Sequence, residues 1–275
     1  MKAIIAPVNF TDSSDNAARY AADMALAMEA DLHLVHFVEI PVSTGEFPMN
    51  PYILEELQKS GTEGLNQLWD KLVVRTKGKV NIYTHMEVGS VEQRLEEFCK
   101  AKTPFAVIMG SSGPSLERVL RGSNLSVAIR RLRYPLIVVP DNAVFHEIKK
   151  VVLACDLEDI AAGVPVSVSF LKQFQDIFGA SFDLINIVTG SQDHQREAEA
   201  AFIFSSWKNR LQELYPGIHF VQSDKVEEGV SNYVNHHPAD LVLVFPKKHS
   251  LFEFHKSHAK KIAHNSRVPI MSIHA

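Results

Sequence analysis

FAVIMGSSGPSLERVLRGSNLSVAIRRLRYPLIVVP, residues 105–140, is the stretch that specifies the fold of this chain. It opens with a continuous apolar run, residues 105–109, which is too short for a typical helix and does not alternate with polar residues. Such a run predicts a strand that is buried on both faces of a parallel sheet. A second apolar run, residues 136–139, closes the stretch. We therefore predict a strand, a loop, a helix and a second strand.

Glycines mark the loop between these two strands. Gly110 and Gly113 follow the first strand, where a missing side chain permits positive φ and close approach of a ligand to the backbone. Gly122 precedes Ser123 and Asn124, either of which can cap a helix. Because free amides at a helix start bind anions, the two glycine turns and the helix predict one anion-sized site.

This pattern resembles the universal stress proteins. Nucleotide-binding members of that family carry a glycine motif between their fourth strand and the helix before their fifth, and Gly110, Gly113, Gly122 and Ser123 match it. The spacing between Gly113 and Gly122 is one residue shorter than in the family motif. The strand after Tyr134 also resembles the closing strand of the family.

The rest of the chain shows an internal repeat. Residues 149–156 are similar to residues 2–9, and apolar runs alternate with helical patterns in the same order after each of them. Strands are predicted at 2–8, 32–38, 80–88, 105–109 and 136–139, and then within 149–156 and at 180–188, 219–225, 241–245 and 269–273. Gly229 is expected to open a helix of the second copy.

We therefore predict an α/β protein of two tandem universal-stress-protein-like domains, residues 1–143 and 144–275. Each is expected to be a five-stranded, mainly parallel sheet with helices on both faces. By resemblance, the closing strands of the two copies pair to give an internal pseudo-dimer, and further assembly into a homodimer stays open.

Composition restricts the class of partner and the compartment. The 275 residues are 46% hydrophobic and 22% charged with a net charge of −4, which predicts neither nucleic-acid nor membrane binding. Cys99 and Cys155 form no C-x-x-C pair, so neither a disulfide scaffold nor a structural zinc site is indicated. The first apolar run is broken by Pro7 and fits a strand better than a signal peptide. We expect a soluble, cytoplasmic protein.

The second copy lacks the glycine loop. Pro246 stands near the start of the segment that corresponds to this loop, and Lys256 and Ser257 align with Gly122 and Ser123. We therefore predict that this half does not bind nucleotide in the family manner. Lysines and histidines crowd residues 247–264 instead. The preferred interpretation is a solvated cationic face. The alternative is a metal pair or proton-sensing patch at His255 and His258, which would lie on one helix face. No metal ligand set is predicted.

Two histidines interrupt the predicted second strand. His33 and His36 stand within an apolar run, where a histidine is more often a packed, hydrogen-bonded residue than a ligand. We therefore assign neither of them to a site.

The resemblance implies that the first half binds ATP, with Mg²⁺ as an accompanying ion. The residues that correspond to the base and ribose end of the family site are Pro7, Val8, Asn9 and Phe37. Those that correspond to the phosphate end are Met109, Gly110, Gly113, Gly122, Ser123, Asn124 and Leu125. Asn9 stands where the family usually has aspartate, which keeps a carbonyl acceptor, removes the charge and adds donors.

The leading functional hypothesis is a stress-response sensor or regulator that binds adenine nucleotide and acts through protein partners. The alternative is a protein-interaction scaffold without a bound ligand. No Walker A lysine, no G-x-S-x-G and no H-E-x-x-H motif is present, and no nucleophile stands beside a base. An efficient enzyme is therefore not predicted, and slow ATP hydrolysis is the most that we expect.

Overall fold

The computed structural model of the chain describes residues 2–39, 51–111, 132–154, 168–188, 217–244 and 268–273. The chain divides into two compact units, residues 1–145 and 146–275. Each unit is described separately below.

The first unit is a parallel sheet with helices. Its described elements are β1 (Ala3–Pro7), α1 (Asp12–Met28), β2 (Asp31–Val38), α2 (Pro51–Thr76), β3 (Ile82–Val88), α3 (Val91–Lys102), β4 (Ala106–Gly110) and β5 (Leu136–Val139). The strand order is β3-β2-β1-β4-β5, and every pair is parallel. This arrangement places β1 and β4 side by side in the middle of the sheet.

The central strands supply the core of the first unit. All of β1 and β5 and the first three residues of β4 are buried, as continuous apolar runs in a parallel sheet require. The buried face of α1 is rich in alanine, whose small side chain lets the helix axis lie close to the sheet. Arg75 of α2 makes a bidentate ion pair with Asp23 of α1, at 2.7 and 2.8 Å. The two helices are thereby joined on one face.

Local signals explain where the helices begin and end. Thr11 caps α1 by accepting from the Ser14 amide, and Ser90 caps α3 by accepting from the Gln93 amide. Glu29 and Thr103 end these two helices in the left-handed conformation. The two helices thus begin directly after Thr11 and Ser90.

The second unit repeats the same order. Its described elements are β6 (Lys150–Ala154), α4 (Val168–Phe178), β7 (Ser181–Val188), β8 (Gly217–Gln222), α5 (Val226–His236), β9 (Leu241–Val244) and β10 (Ile270–Ser272). The strands are parallel and neighbour one another as β8-β7-β6-β9-β10, which is the order of β3-β2-β1-β4-β5. The predicted fold class, two α/β domains with five-stranded parallel sheets, is confirmed.

Two predicted boundaries in the second unit were wrong. The strand expected at 219–225 is Gly217–Gln222, and Gly229 lies inside α5 rather than at its start. A Cβ at Gly229 would be 2.8 Å from Cγ2 of Ile187. The glycine therefore lets α5 pack closely on β7 instead of marking a turn.

None of the described helices is long and apolar enough to cross a membrane.

Candidate functional site

The strand order of the first sheet reverses between β1 and β4. The next strand after β1 along the chain is β2, on one side, whereas the next strand after β4 is β5, on the other side. In open α/β sheets ligands bind at this point, outside the carboxyl ends of the strands. Pro7, Val8 and Asn9 end β1 here, and Met109 and Gly110 end β4. The structure thus brings five of the predicted site residues to one edge.

Asn9 is the exposed polar residue of this edge. Its side-chain Oδ1 accepts from the Thr11 hydroxyl at 2.8 Å and from the Thr11 amide at 3.4 Å. Because a backbone N–H can only donate, the oxygen of Asn9 faces Thr11 and the NH₂ group faces away. Within the described residues that NH₂ group has no hydrogen-bond partner. Asn9 therefore offers a ligand donors rather than an acceptor.

The loop after β1 is held by a contact that the sequence did not reveal. Phe10 adopts a left-handed conformation with φ of 61°, and its ring centroid lies 4.6 Å from that of His36. A Cβ at Gly64 of α2 would lie 2.8 Å from the Phe10 ring, so the glycine provides the space for this ring. The Nδ1–H of His36 donates to the Val8 carbonyl at 2.8 Å. The interpretation of His36 as a packed, hydrogen-bonded residue is confirmed.

Gly110 has a structural partner at the same edge. A Cβ at this position would lie 2.6 Å from the Ser13 carbonyl oxygen, so the first turn of α1 can lie against β4 only if residue 110 is glycine. The Ser13 hydroxyl in turn donates to Asp141 at 2.7 Å. The described side of Gly110 is thus packed against α1, and close approach of a ligand is not needed to explain this glycine.

Acidic groups surround the start of α1. Asp12 and Asp15 lie in its first turn, and Asp141 accepts from Ser13. Burial raises the pKa of Asp15, and the opposing effect of Lys71, whose Nζ lies 4.0 Å away, is smaller. These carboxylates already face the positive end of the helix dipole. They would repel a triphosphate placed at the start of α1.

The remaining predicted residues divide into two groups. Phe37 is 8% exposed on β2, and because neighbouring residues of a strand point to opposite faces, it lies on the face away from His36. Gly113, Gly122, Ser123, Asn124 and Leu125 lie outside the described residues, as does the His/Lys-rich segment 247–264. Their roles stay predictions.

No group of three or more potential metal-binding side chains occurs among the residues that the structure describes. In that part of the chain, His33 does have a partner, since its Nδ1 lies 2.9 Å from Nε2 of His85. The interpretation of His33 as a packed, hydrogen-bonded residue is therefore also confirmed.

Taken together, the strand order and the parallel pairing define an open α/β protein whose strand order reverses between β1 and β4. The Universal stress protein family matches residues 1–140, and the chain belongs to this family. Universal stress protein G of Shigella flexneri is 31% identical over 143 residues, which cover 50% of this chain and 98% of that protein. A universal stress protein of Methanocaldococcus jannaschii is 29% identical over 141 residues, covering 50% of this chain and 81% of that protein.

A solved structure extends the likeness to the whole chain at the level of the fold. The crystal structure of a universal stress protein from Archaeoglobus fulgidus DSM 4304 has a TM-score of 0.73 and 12% sequence identity. It covers 99% of this chain and 96% of the other. The second half therefore shares the fold of this family.

Proposed function

We propose that the first half binds an adenine nucleotide, ATP with Mg²⁺, and that the chain regulates a stress response through protein partners. The observation that carries the proposal is the reversal of strand order between β1 and β4, where Asn9 follows β1 and Gly110 ends β4. The glycine motif that begins at Gly110 and membership of the family support it.

The described edge suggests how the ligand would lie. The triphosphate would bind the amides of the glycine loop, because the start of α1 carries carboxylates. The base and ribose would then approach Asn9, whose NH₂ group can donate to a ring nitrogen or a ribose oxygen. Mg²⁺ would shield the phosphates from Asp141. Replacement of Asn9 with aspartate would change this donor into an acceptor.

Release of bound nucleotide tests the proposal. Purified protein is heat-denatured, the supernatant is chromatographed, and ATP with Mg²⁺ is titrated into separate protein by calorimetry. We expect bound nucleotide or a binding heat in the natural chain and neither in Gly113→Val. Asn232→Val, an exposed valine substitution on α5, is the matched control and should behave as the natural chain. No released nucleotide together with no heat would refute the proposal.

A ligand-free interaction scaffold is the second candidate, and three described contacts favour it. Gly110 packs against Ser13, the oxygen of Asn9 is bonded to Thr11, and Asp141 adds negative charge beside them. None of these contacts needs a ligand. Under this candidate Gly113→Val would leave stress survival of the host cells intact, whereas nucleotide binding predicts its loss.

Slow hydrolysis of ATP is tested with the same variant. Phosphate release that is present in the natural chain and absent in Gly113→Val would assign turnover to this site. Equal release by both proteins would assign it to a contaminant.

A further inference from the structure

A pair of histidines joins two strands under α3 in the first half. Nδ1 of His33, on β2, lies 2.9 Å from Nε2 of His85, on β3. Tyr83 stacks on His33 at a centroid distance of 5.0 Å, and Phe98 of α3 packs edge-on against His85 at 5.0 Å. His33 is buried, whereas His85 is half-buried and Tyr83 is 46% exposed, so aromatic rings cover only part of the pair.

This bond requires at least one uncharged histidine, since one nitrogen donates its proton and the other accepts it. Two protonated rings would present two donors and two like charges to each other. The described charged groups around the pair are Asp31 on β2, Glu87 on β3 and Lys102 on α3. Burial, the neighbouring histidine and Lys102 lower the pKa of His33 to about 4, and burial and Lys102 lower that of His85.

The equivalent place in the second half has a different composition. Asp183 on β7 occupies the position of His33, since each is the third residue of a strand that pairs with the central one. Asp183 accepts from Lys150 at 2.7 Å and from the Tyr233 hydroxyl at 3.3 Å. Nε2 of His219 lies 3.8 Å from the same carboxylate. A protonated His219 would thus face an anion.

His237, the residue that follows α5, completes this second cluster. Tyr233 stacks on His237 at 4.1 Å, and the His237 ring lies 6.2 Å from that of His219. Lys150 and His237 are the other positive or titratable groups near His219 in the described residues. Lys150 lies beside the Asp183 carboxylate, and His237 lies beside the Tyr233 ring. Among the described residues, no hydrogen bond between two histidines joins β7 and β8.

We propose that the β2–β3–α3 region of the first half is an acid-sensitive element, held by the His33–His85 bond, while the equivalent β7–β8–α5 region is not. A histidine whose folded pKa is lowered contributes stability that is present above its unfolded pKa of about 6.5 and is lost as the pH falls toward the folded value. The element should therefore open increasingly between pH 6.5 and 4. Since α3 leads directly into β4, this opening would reach the amino end of β4 at Ala106.

Hydrogen exchange on the full chain tests this inference without reference to any ligand. Exchange is followed at pH 7.5 and pH 5.0 by mass spectrometry, with labelling times scaled for the intrinsic rate at each pH. Peptides from residues 82–102 should lose protection by roughly 10- to 30-fold at pH 5.0 relative to pH 7.5. This is the change in the opening equilibrium expected for one histidine with the folded and unfolded pKa values given above. Peptides from residues 217–236 should keep theirs.

Two variants and one direct measurement make the test decisive. In the double variant His33→Gln with His85→Gln, which keeps hydrogen-bonding groups but cannot be protonated, the pH effect should disappear. His146→Gln, at an exposed histidine, should retain it. Histidine ring resonances of the natural chain, followed by NMR, should include two that titrate well below pH 6.5.

Three outcomes would overturn the inference. These are unchanged protection of residues 82–102 at pH 5.0, an equal loss in residues 217–236, and titration of every histidine near pH 6.5. If the double variant does not fold, the exchange and NMR results on the natural chain decide the question by themselves.

Discussion

Gly110 is held in place by a neighbouring helix. Substitution with alanine puts a Cβ 2.6 Å from the Ser13 carbonyl oxygen, and backbone atoms cannot move away as a flexible side chain can. We expect Gly110→Ala to lower the free energy of unfolding by about 1–3 kcal/mol. Urea denaturation measures this change.

Ser111→Ala is the control for that measurement, because Ser111 bonds to Val139 through its backbone amide, which alanine keeps. A Gly110→Ala variant as stable as Ser111→Ala would contradict the packing explanation. It would leave ligand approach as the reason for the glycine.

Gly217 in the second half lies against side-chain atoms rather than backbone. A Cβ there would lie 2.5 Å from Oδ1 of Asp183 and 3.0 Å from Nε2 of His219. Gly217→Ala should push the carboxylate away from Lys150 and leave a buried charge poorly paired, with a loss of about 1–3 kcal/mol. Gly179→Ala is unsuitable as a control because its φ of 65° adds strain. Ser181→Ala, which loses one exposed hydrogen bond, is preferable and should cost less than Gly217→Ala.

At the scale of elements, the cap of α1 links helix stability to the candidate site. The Thr11 hydroxyl accepts from the Ser14 amide and donates to Asn9. Thr11→Ala should lower stability by about 1 kcal/mol, the usual effect of losing such a cap. It should also remove the shorter of the two hydrogen bonds to the Asn9 oxygen, so nucleotide affinity measured by calorimetry should change in the same variant.

Thr11→Ser keeps a hydroxyl and should preserve both properties. If Thr11→Ala is as stable as Thr11→Ser in thermal unfolding, the hydroxyl does not stabilise α1. If only the affinity changes, Thr11 acts on Asn9 alone.

The elements themselves were largely predictable from sequence. Apolar runs at 32–38 and 136–139 became strands because burial on both faces selects such runs, and Ser90 signalled the start of α3. The contacts at the strand edge were not predictable. Phe10 is a non-glycine residue with positive φ, and its partner Gly64 lies in a long helix whose sequence gives no sign that a glycine there receives a ring.

At the scale of the whole molecule, the repeat was visible in sequence because residues 149–156 restart the pattern of residues 2–9. The different side-chain clusters around His33 and Asp183 were not visible in the sequence, because they depend on which strands become neighbours. His33 meets His85 only because β2 pairs with β3. Equivalent positions in the two copies can thus carry chemically different clusters on one fold.

The central claim is that one nucleotide binds per chain, in the first half. Calorimetric titration of the full-length protein with ATP and Mg²⁺, after removal of any nucleotide acquired during purification, measures the stoichiometry directly. We expect one ATP per chain, with no binding in Gly113→Val. No binding to the natural chain, or one ATP per chain in Gly113→Val, would contradict it.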